Sequence, residues 1–414
     1  MRVEIPYGGG KEVVDVPDRN LGEIVYQKDV KTDDRVQIIQ DAVKSPVDAP
    51  PLREFLNGAK DILIIVNDAT RPTPSWRIIT AILPFLLNKN IKFLVATGMH
   101  REPTPEEYTY IFGDLYAAIK EDVYSHDSKK SECVFLGNSK NGTPMKLNKM
   151  VVDADRIIVI SSVEPHYFAG YTGGRKSFLP GVAAYETIEA NHKLALSINA
   201  QSLRLKGNPV AEDMEDAMKV LKDKKIFAIM TVLDKNHRTC CAYAGDLKSS
   251  FEKAKKKADD VFVINLKHKA DIVVAVTAFP YDIDLYQSQK ALDNAKYAVK
   301  DGGIIILVSA CRDGVGPPNF LNLLGSASTP KVALEKIAQG YKLGYHKAAK
   351  MAEIGLKCKM LAVTRLDPNV ARKAHLSPFK SIQEAVDVSI KELGPDAKVT
   401  FIMDAVITVP RVQQ

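Results

Sequence analysis

Charged and titratable residues of this chain gather directly after short apolar runs. DILIIV (61–66) leads into Asn67-Asp68-Ala69-Thr70-Arg71-Pro72-Thr73-Pro74, with Trp76, the only tryptophan, close behind. IKFLVAT (91–97) leads into Gly98-Met99-His100-Arg101, and RIIVIS (156–161) into a dense stretch that holds Glu164, His166, Arg175 and Lys176 and closes at Gly181. His192 follows in EANHK. Imidazole shuttles protons near neutral pH and ligates borderline metals, so His100, His166 and His192 together offer both chemistries. Each alone also reads as a satisfied structural histidine. The other five, His126, His237, His268, His346 and His375, lack such surroundings and read as structural or exposed.

Gly170, Gly173, Gly174 and Gly181 punctuate the same stretch. Glycine permits positive φ and lets backbone N–H groups approach a phosphate, while Arg175 and Lys176 supply charge. The spacing matches neither GxxxxGK[ST] nor GxGxxG, so an ordinary nucleotide or dinucleotide loop is not indicated. The segment reads equally as a ligand loop and as a surface turn with two solvated cations. Farther on, Gln287 and Lys290 in QSQKAL share one face near a helix start, where a carboxylate would meet a cation and a helix dipole. The alternative is a solvent-facing lysine. Cys311, in a glycine-bearing loop, has no histidine beside it in sequence and reads as buried packing rather than as a nucleophile.

The elements that must position these residues read as parallel strands alternating with amphipathic helices. Asp61–Val66, Ile91–Thr97, Arg156–Ser161 and Ile226–Leu233 form one set; Asp271–Thr277, Gly303–Ser309, Lys359–Thr364 and Val399–Met403 form another. At 414 residues two domains are expected, 1–265 and 266–414, with the last ten to fifteen residues returning to the first. The fold class is α/β, each domain carrying a mainly parallel sheet flanked by helices. In such sheets ligands bind beyond the carboxyl ends of the strands, where the unusual residues fall.

Composition excludes several classes. Hydrophobic residues at 46% and charged residues at 26% are ordinary globular usage, so disorder is not the main state. The formal charge of +7 comes from 57 basic and 50 acidic residues spread along the chain, which suits anionic substrates and does not point to nucleic acid. The run Lys253, Lys255, Lys256, Lys257 reads as a solvated helix face. Five scattered cysteines without a CxxC pair argue for a reducing, cytoplasmic location. The first twenty residues lack an apolar core, and no eighteen apolar residues run together, so neither a standard export signal nor a membrane span is expected.

At DATRPTP (68–74), GMHR (98–101), EPHYFAGYTGGRKSFLPG (164–181), the NH pair at 191–192 and QSQKAL (287–292), the sequence resembles the nickel-pincer lactate racemase family. The match keeps order and spacing across both expected domains. The resemblance implies a racemase or epimerase of a small anionic 2-hydroxy acid, with an active site in the interdomain cleft. It implies a nickel pyridinium-3,5-bisthiocarboxylic acid mononucleotide joined to Lys176, made by separate biosynthesis proteins, with His192 as nickel ligand. His100 and His166 would be the acid/base pair, and Arg71, Lys290 and Gln287 would bind substrate. Asp68, Thr70, Gly173 and Gly174 would seat the nucleotide. Arg175, beside the anchoring lysine, would favour a longer or dicarboxylic substrate. Two rival readings are a metal-dependent hydrolase built on His100, His166 and His192 with Glu164 as base, and a non-catalytic protein that binds a phosphorylated metabolite.

Overall fold

The structure is a computed structural model that describes residues 1–279 and 281–413; Pro280 and Gln414 lie outside the described residues. The chain divides into two units, Asp29–Val261 and a second made of Met1–Lys28 with Phe262–Gln414. All eight expected strands form.

In the unit 29–261, a six-stranded sheet runs in the order Thr239–Gly245, Ile226–Leu233, Arg156–Ser162, Asp61–Asn67, Asn90–Ala96, Val123–Ser125. Every pairing is parallel except that of Thr239–Gly245 with Ile226–Leu233. The inner strands are buried on both faces, which is why Ile62–Val66 and Ile157–Ile160 read as unbroken apolar runs rather than alternating ones. Ile64, Val66, Ile158 and Ile160 pack against Ile78, Ile79 and Ile82 of the helix Ser75–Ile82, within one apolar cluster. The chain leaves Asp61–Asn67 to one side and later returns on its other side as Arg156–Ser162. Strand order therefore reverses between these two, which opens a crevice at their carboxyl ends.

The second unit holds a six-stranded, wholly parallel sheet in the order Ser377–Phe379, Lys359–Val363, Val299–Val308, Ala270–Val276, Val399–Ile402, Leu21–Val25. The helix Leu285–Ala295 follows Ala270–Val276, beside this sheet's own reversal of order.

Two features differ from the expected 1–265 and 266–414 division. The first 28 residues belong with 262–414, because Leu21–Val25 pairs with Val399–Ile402 and completes that sheet's edge. The final strand Val409–Val412 pairs in parallel with Val263–Leu266 inside the same unit. Short strands whose partners lie hundreds of residues away carry no local signal of the sheet they will join. The basic helix Leu247–Phe262 is as expected: Lys253 and Lys256 are exposed, while Lys255 and Lys257 pair with Glu252 and Asp260. No helix among the described residues is long and apolar enough to cross a membrane.

Asn20 clamps the N-terminal segment to its sheet: its fully buried amide donates to the carbonyls of Pro395 at 2.7 Å and Ala397 at 2.9 Å. Asn20→Ala leaves two buried carbonyls without this donor and is expected to destabilise the unit by about 2–3 kcal/mol. Hydrogen–deuterium exchange of the strand Val399–Ile402 checks this; unchanged protection there would show that the clamp does not hold the edge.

Candidate functional site

At the crevice of the unit 29–261, the loop after Asp61–Asn67 is held from below by Thr73, whose hydroxyl meets Asn67 Oδ1 at 2.8 Å and Ser162 Oγ at 2.9 Å. Two ionic contacts form above it. Arg71 Nη1 donates to Glu164 Oε1 at 2.7 Å, joining the loops that leave the two strands on either side of the reversal. His100 Nδ1 lies 2.6 Å from Asp68 Oδ2, and Asp68 Oδ1 accepts from Thr70 Oγ1 at 2.6 Å and from its backbone N–H at 3.2 Å. Asp68 is buried, and removal from water would raise its pKa, but the bonds from His100 and Thr70 and the nearby charges outweigh that and hold it below the ordinary value. A carboxylate accepts only, so the His100 ring carries a proton on Nδ1, and in its neutral form the lone pair is on Nε2.

His166 stands on a two-residue hairpin, Pro165–His166 against Gly170–Tyr171. This turn requires glycine: Gly170 has φ +79°, and a Cβ there would sit 2.3 Å from the Arg204 carbonyl oxygen. The Ala169 N–H donates to His166 Nδ1 at 3.2 Å, so the neutral ring holds its proton on Nε2. His100 and His166 thus present opposite groups at Nε2, an acceptor and a donor.

Phe168, three residues before Tyr171 on the same hairpin, gathers the rest. Its ring meets His166 edge to face at 4.6 Å and His192 at 5.0 Å, and Lys176 Nζ lies 5.5 Å from its centroid. His192 projects from the helix Tyr185–Lys193 and donates from Nδ1 to Asn191 Oδ1 at 3.3 Å. Asn191 is fixed in turn by Asp213 at 2.8 Å. With Asn191 Oδ1 as acceptor, the neutral His192 ring carries its proton on Nδ1, the tautomer that ligates a metal through Nε2.

Lys176 lies in a single turn of 3-10 helix, Gly174–Ser177, entered through Gly173 at φ +80°, where a Cβ would strike Val163 at 2.7 Å. Lys176 is itself partly buried, and loss of hydration, followed by the charges of Arg71 and Arg175, holds its amine well below the ordinary lysine value. Arg175 is buried: its guanidinium lies 5.0 Å over the Phe251 ring and Nη2 donates to the Ala169 carbonyl at 3.1 Å, while burial lowers its pKa to about 10. The expectation that Arg175 favours a longer or dicarboxylic substrate gains no support from these contacts, which turn its cation toward Phe251 and the hairpin. Among the described residues, Arg175 Nε and Ser177 Oγ are buried without a hydrogen-bond partner.

In the second unit, Asp284 caps the helix Leu285–Ala295 by accepting from Gln287 N at 2.6 Å, and Lys290 Nζ donates to Gln287 Oε1 at 2.7 Å. Gln287 and Lys290 thus share a face near the helix start. Lys347, which no local pattern marks, is buried with its amine 3.9 Å from the Tyr286 ring centroid, and burial holds it well below the ordinary value. Cys311 is buried, which raises its thiol pKa, as suits a packing residue. Among the described residues no three His, Cys, Asp or Glu side chains form a metal-binding group.

Residues 7–203 match the lactate racemase N-terminal domain and residues 265–409 the lactate racemase C-terminal domain. The lactate racemase of Thermoanaerobacterium thermosaccharolyticum is 31% identical over 428 residues, covering 99% of each chain, and that of Lactiplantibacillus plantarum is 31% identical over 420 residues, covering 97% of this chain and 98% of its own. The structure of the lactate racemase apoprotein from T. thermosaccharolyticum superposes with a TM-score of 0.92 at 30% identity, covering 99% of this chain and all of the other. A Thermotoga maritima protein shares the fold, with a TM-score of 0.71 at 17% identity over 92% of this chain. With both domains matched and its full length aligned, this chain belongs to the lactate racemase family and is an isomerase of that type.

Proposed function

We propose that this protein interconverts the enantiomers of a small 2-hydroxy acid, lactate first among them, using a nickel-pincer nucleotide carried on Lys176. The observation that carries the reading is the convergence of His166, His192 and Lys176 on the Phe168 ring. The names of the two curated relatives, both lactate racemases, support the substrate.

The residues present fit the cofactor. An amine that is to be acylated must be neutral, and the burial that lowers the pKa of Lys176 favours that form. Ser177 Oγ, buried beside it, offers a polar atom with no hydrogen-bond partner among the described residues, and Gly173 lets the backbone turn tightly against Val163 at this point. Lys176 would hold the group covalently, Gly173 and Gly174 would flank the nucleotide, and the Nε2 lone pair of His192 would take the metal. When bound, this group supplies a hydride acceptor for the substrate's Cα–H, so that a planar 2-keto acid can be reduced again from either face.

The chain itself handles the proton and the carboxylate. His100 Nε2, its lone pair fixed by Asp68, takes the hydroxyl proton of the enantiomer that faces it. His166, whose Nδ1 is committed to the Ala169 amide, donates a hydrogen bond from Nε2 to the same oxygen once it turns. Neither imidazole alone could remove a Cα proton beside a carboxylate, which is why the proton at stake is the hydroxyl one. We assign Arg71 to the substrate carboxylate, and in the second unit Lys290 with Gln287. Asp68 was expected to seat the nucleotide; its bonds favour a role on His100, with Thr70 holding Asp68 rather than phosphate.

The test is mass spectrometry of protein co-produced with the pincer-synthesis proteins, joined to a polarimetric assay with lactate. An added mass on Lys176 with nickel and racemisation is expected; racemisation by unmodified, metal-free chain would overturn the reading. Lys176→Met should abolish the added mass yet stabilise the unloaded protein by about 1 kcal/mol at neutral pH. A lysine whose pKa is lower folded than unfolded opposes folding wherever the unfolded chain keeps the proton, so the gap between variant and parent should narrow as pH rises toward the ordinary value of 10.5. Thermal denaturation across that range reads it. Asp68→Asn should lower kcat by about 10²- to 10³-fold with little change in KM, since the amide lets the His100 ring take the wrong tautomer. Nitrogen-15 NMR of the unloaded variant should show that ring's proton moved from Nδ1; an unmoved proton with full activity would remove Asp68 from the mechanism.

A further inference from the structure

We propose that Glu164 is a positioning residue for Arg71 and the element that restricts the site to acids with a single carboxylate. This rests on the assignment of Arg71 to the substrate carboxylate made above.

Glu164 is set rigidly. Its backbone N–H donates to the Thr172 hydroxyl oxygen at 2.9 Å, and its carbonyl accepts from the Thr172 N–H at 2.8 Å. Thr172 is buried and its hydroxyl also reaches the Ser162 carbonyl at 3.1 Å, so Glu164 stands at the base of the hairpin that carries His166. From there its carboxylate meets Arg71, with side-chain exposures of 14% for Glu164 and 26% for Arg71. These values put the pair out of bulk water but open on one side, which is what a residue that must also meet a ligand requires.

The bond engages Nη1 of Arg71 and one carboxylate oxygen. Among the described residues, Nη2 and Nε of Arg71 make no hydrogen bond to protein, so one edge of the guanidinium remains for a second carboxylate. Glu164 therefore sets which edge is presented and ties it to the hairpin of His166.

Charge supplies the selectivity. Arg71 is balanced by Glu164, Asp68 adds a second carboxylate beside His100, and Arg175 is turned toward Phe251 and the Ala169 carbonyl. Lys176 is held toward its neutral form. One incoming carboxylate finds the open edge of Arg71. A further carboxylate on the same ligand meets two like charges, while the cations beside them, Arg71, Arg175 and Lys176, are already engaged or desolvated, and like-charge contacts of this kind are costly away from bulk water.

The experiment measures binding of pyruvate and oxaloacetate, the keto acids of a mono- and a dicarboxylic substrate, to the unloaded full-length protein by NMR of the Arg71 Nε–H, in parallel with lactate and malate turnover by loaded enzyme. The parent is expected to prefer pyruvate. Glu164→Gln should narrow the pyruvate-to-oxaloacetate preference by on the order of tenfold, and Glu164→Asp, which keeps the charge, should restore the preference while raising KM through the shorter reach. In turnover the same change should appear in the ratio of KM values, with kcat altered less. An unchanged preference in Glu164→Gln overturns the proposal while leaving the racemase reading intact. Normal keto acid binding without any turnover by loaded parent sinks the racemase reading and leaves the role of Glu164 standing. No binding of either acid to the parent removes Arg71 as the anchor and overturns the proposal.

Discussion

The ring of Phe168 is the constraint around which the candidate site is organised. It touches an imidazole on its own hairpin, an imidazole on the helix Tyr185–Lys193 and an amine in the glycine turn. An aromatic ring cannot satisfy a charged amine as water does, so the same contact that places Lys176 also removes its hydration and favours the neutral form. Position and reactivity arise from one packing arrangement. The Phe168 carbonyl is itself held by Asn208 at 2.8 Å, so the ring stands on a backbone already fixed from beneath.

Electrostatics divide the cations of this region into distinct uses. Lys176 is desolvated, Arg175 is buried against Phe251, and Arg71 is paired with Glu164. Three adjacent cations without such a division would repel one another at short range. Instead each is handled differently: a lowered proton affinity for Lys176, an aromatic face with a carbonyl for Arg175, and a carboxylate for Arg71. The cost falls on folding stability, as is usual for functional groups held away from water.

The doubly wound sheet explains why these groups can meet at all. Asp68 and Arg71 leave one strand and Glu164 leaves its neighbour, at the place where strand order reverses and the following connections part to opposite sides. The ion pair between Arg71 and Glu164 spans that parting. The second unit repeats the pattern: Gln287 and Lys290 stand at the start of the helix that follows the strand next to its own reversal. Membership of the lactate racemase family accounts for this architecture being shared over the full chain.

Local pattern determined a good deal. Apolar β-branched runs bounded by glycine and polar turns identified all eight central strands, because burial on both faces demands continuous apolar residues whatever the partner. The ordering of DATRPTP, GMHR, the glycine-rich stretch, NH and QSQKAL identified the family, which the matches over both domains bear out, and named the candidate site residues. Tertiary structure alone decided the rest. That residues 1–28 complete a sheet built from the far end of the chain follows from the pairing of Leu21–Val25 with Val399–Ile402, beside which Asn20 bonds to Pro395 and Ala397, and no local period encodes such distant partners. Asp68 bonded to His100, Glu164 bonded to Arg71, and Arg175 turned inward are likewise outcomes of three-dimensional proximity. Sequence names the groups that can ionise, but which of them lie within three ångströms of one another, and which lose water, is set only when the strand ends are brought to one crevice.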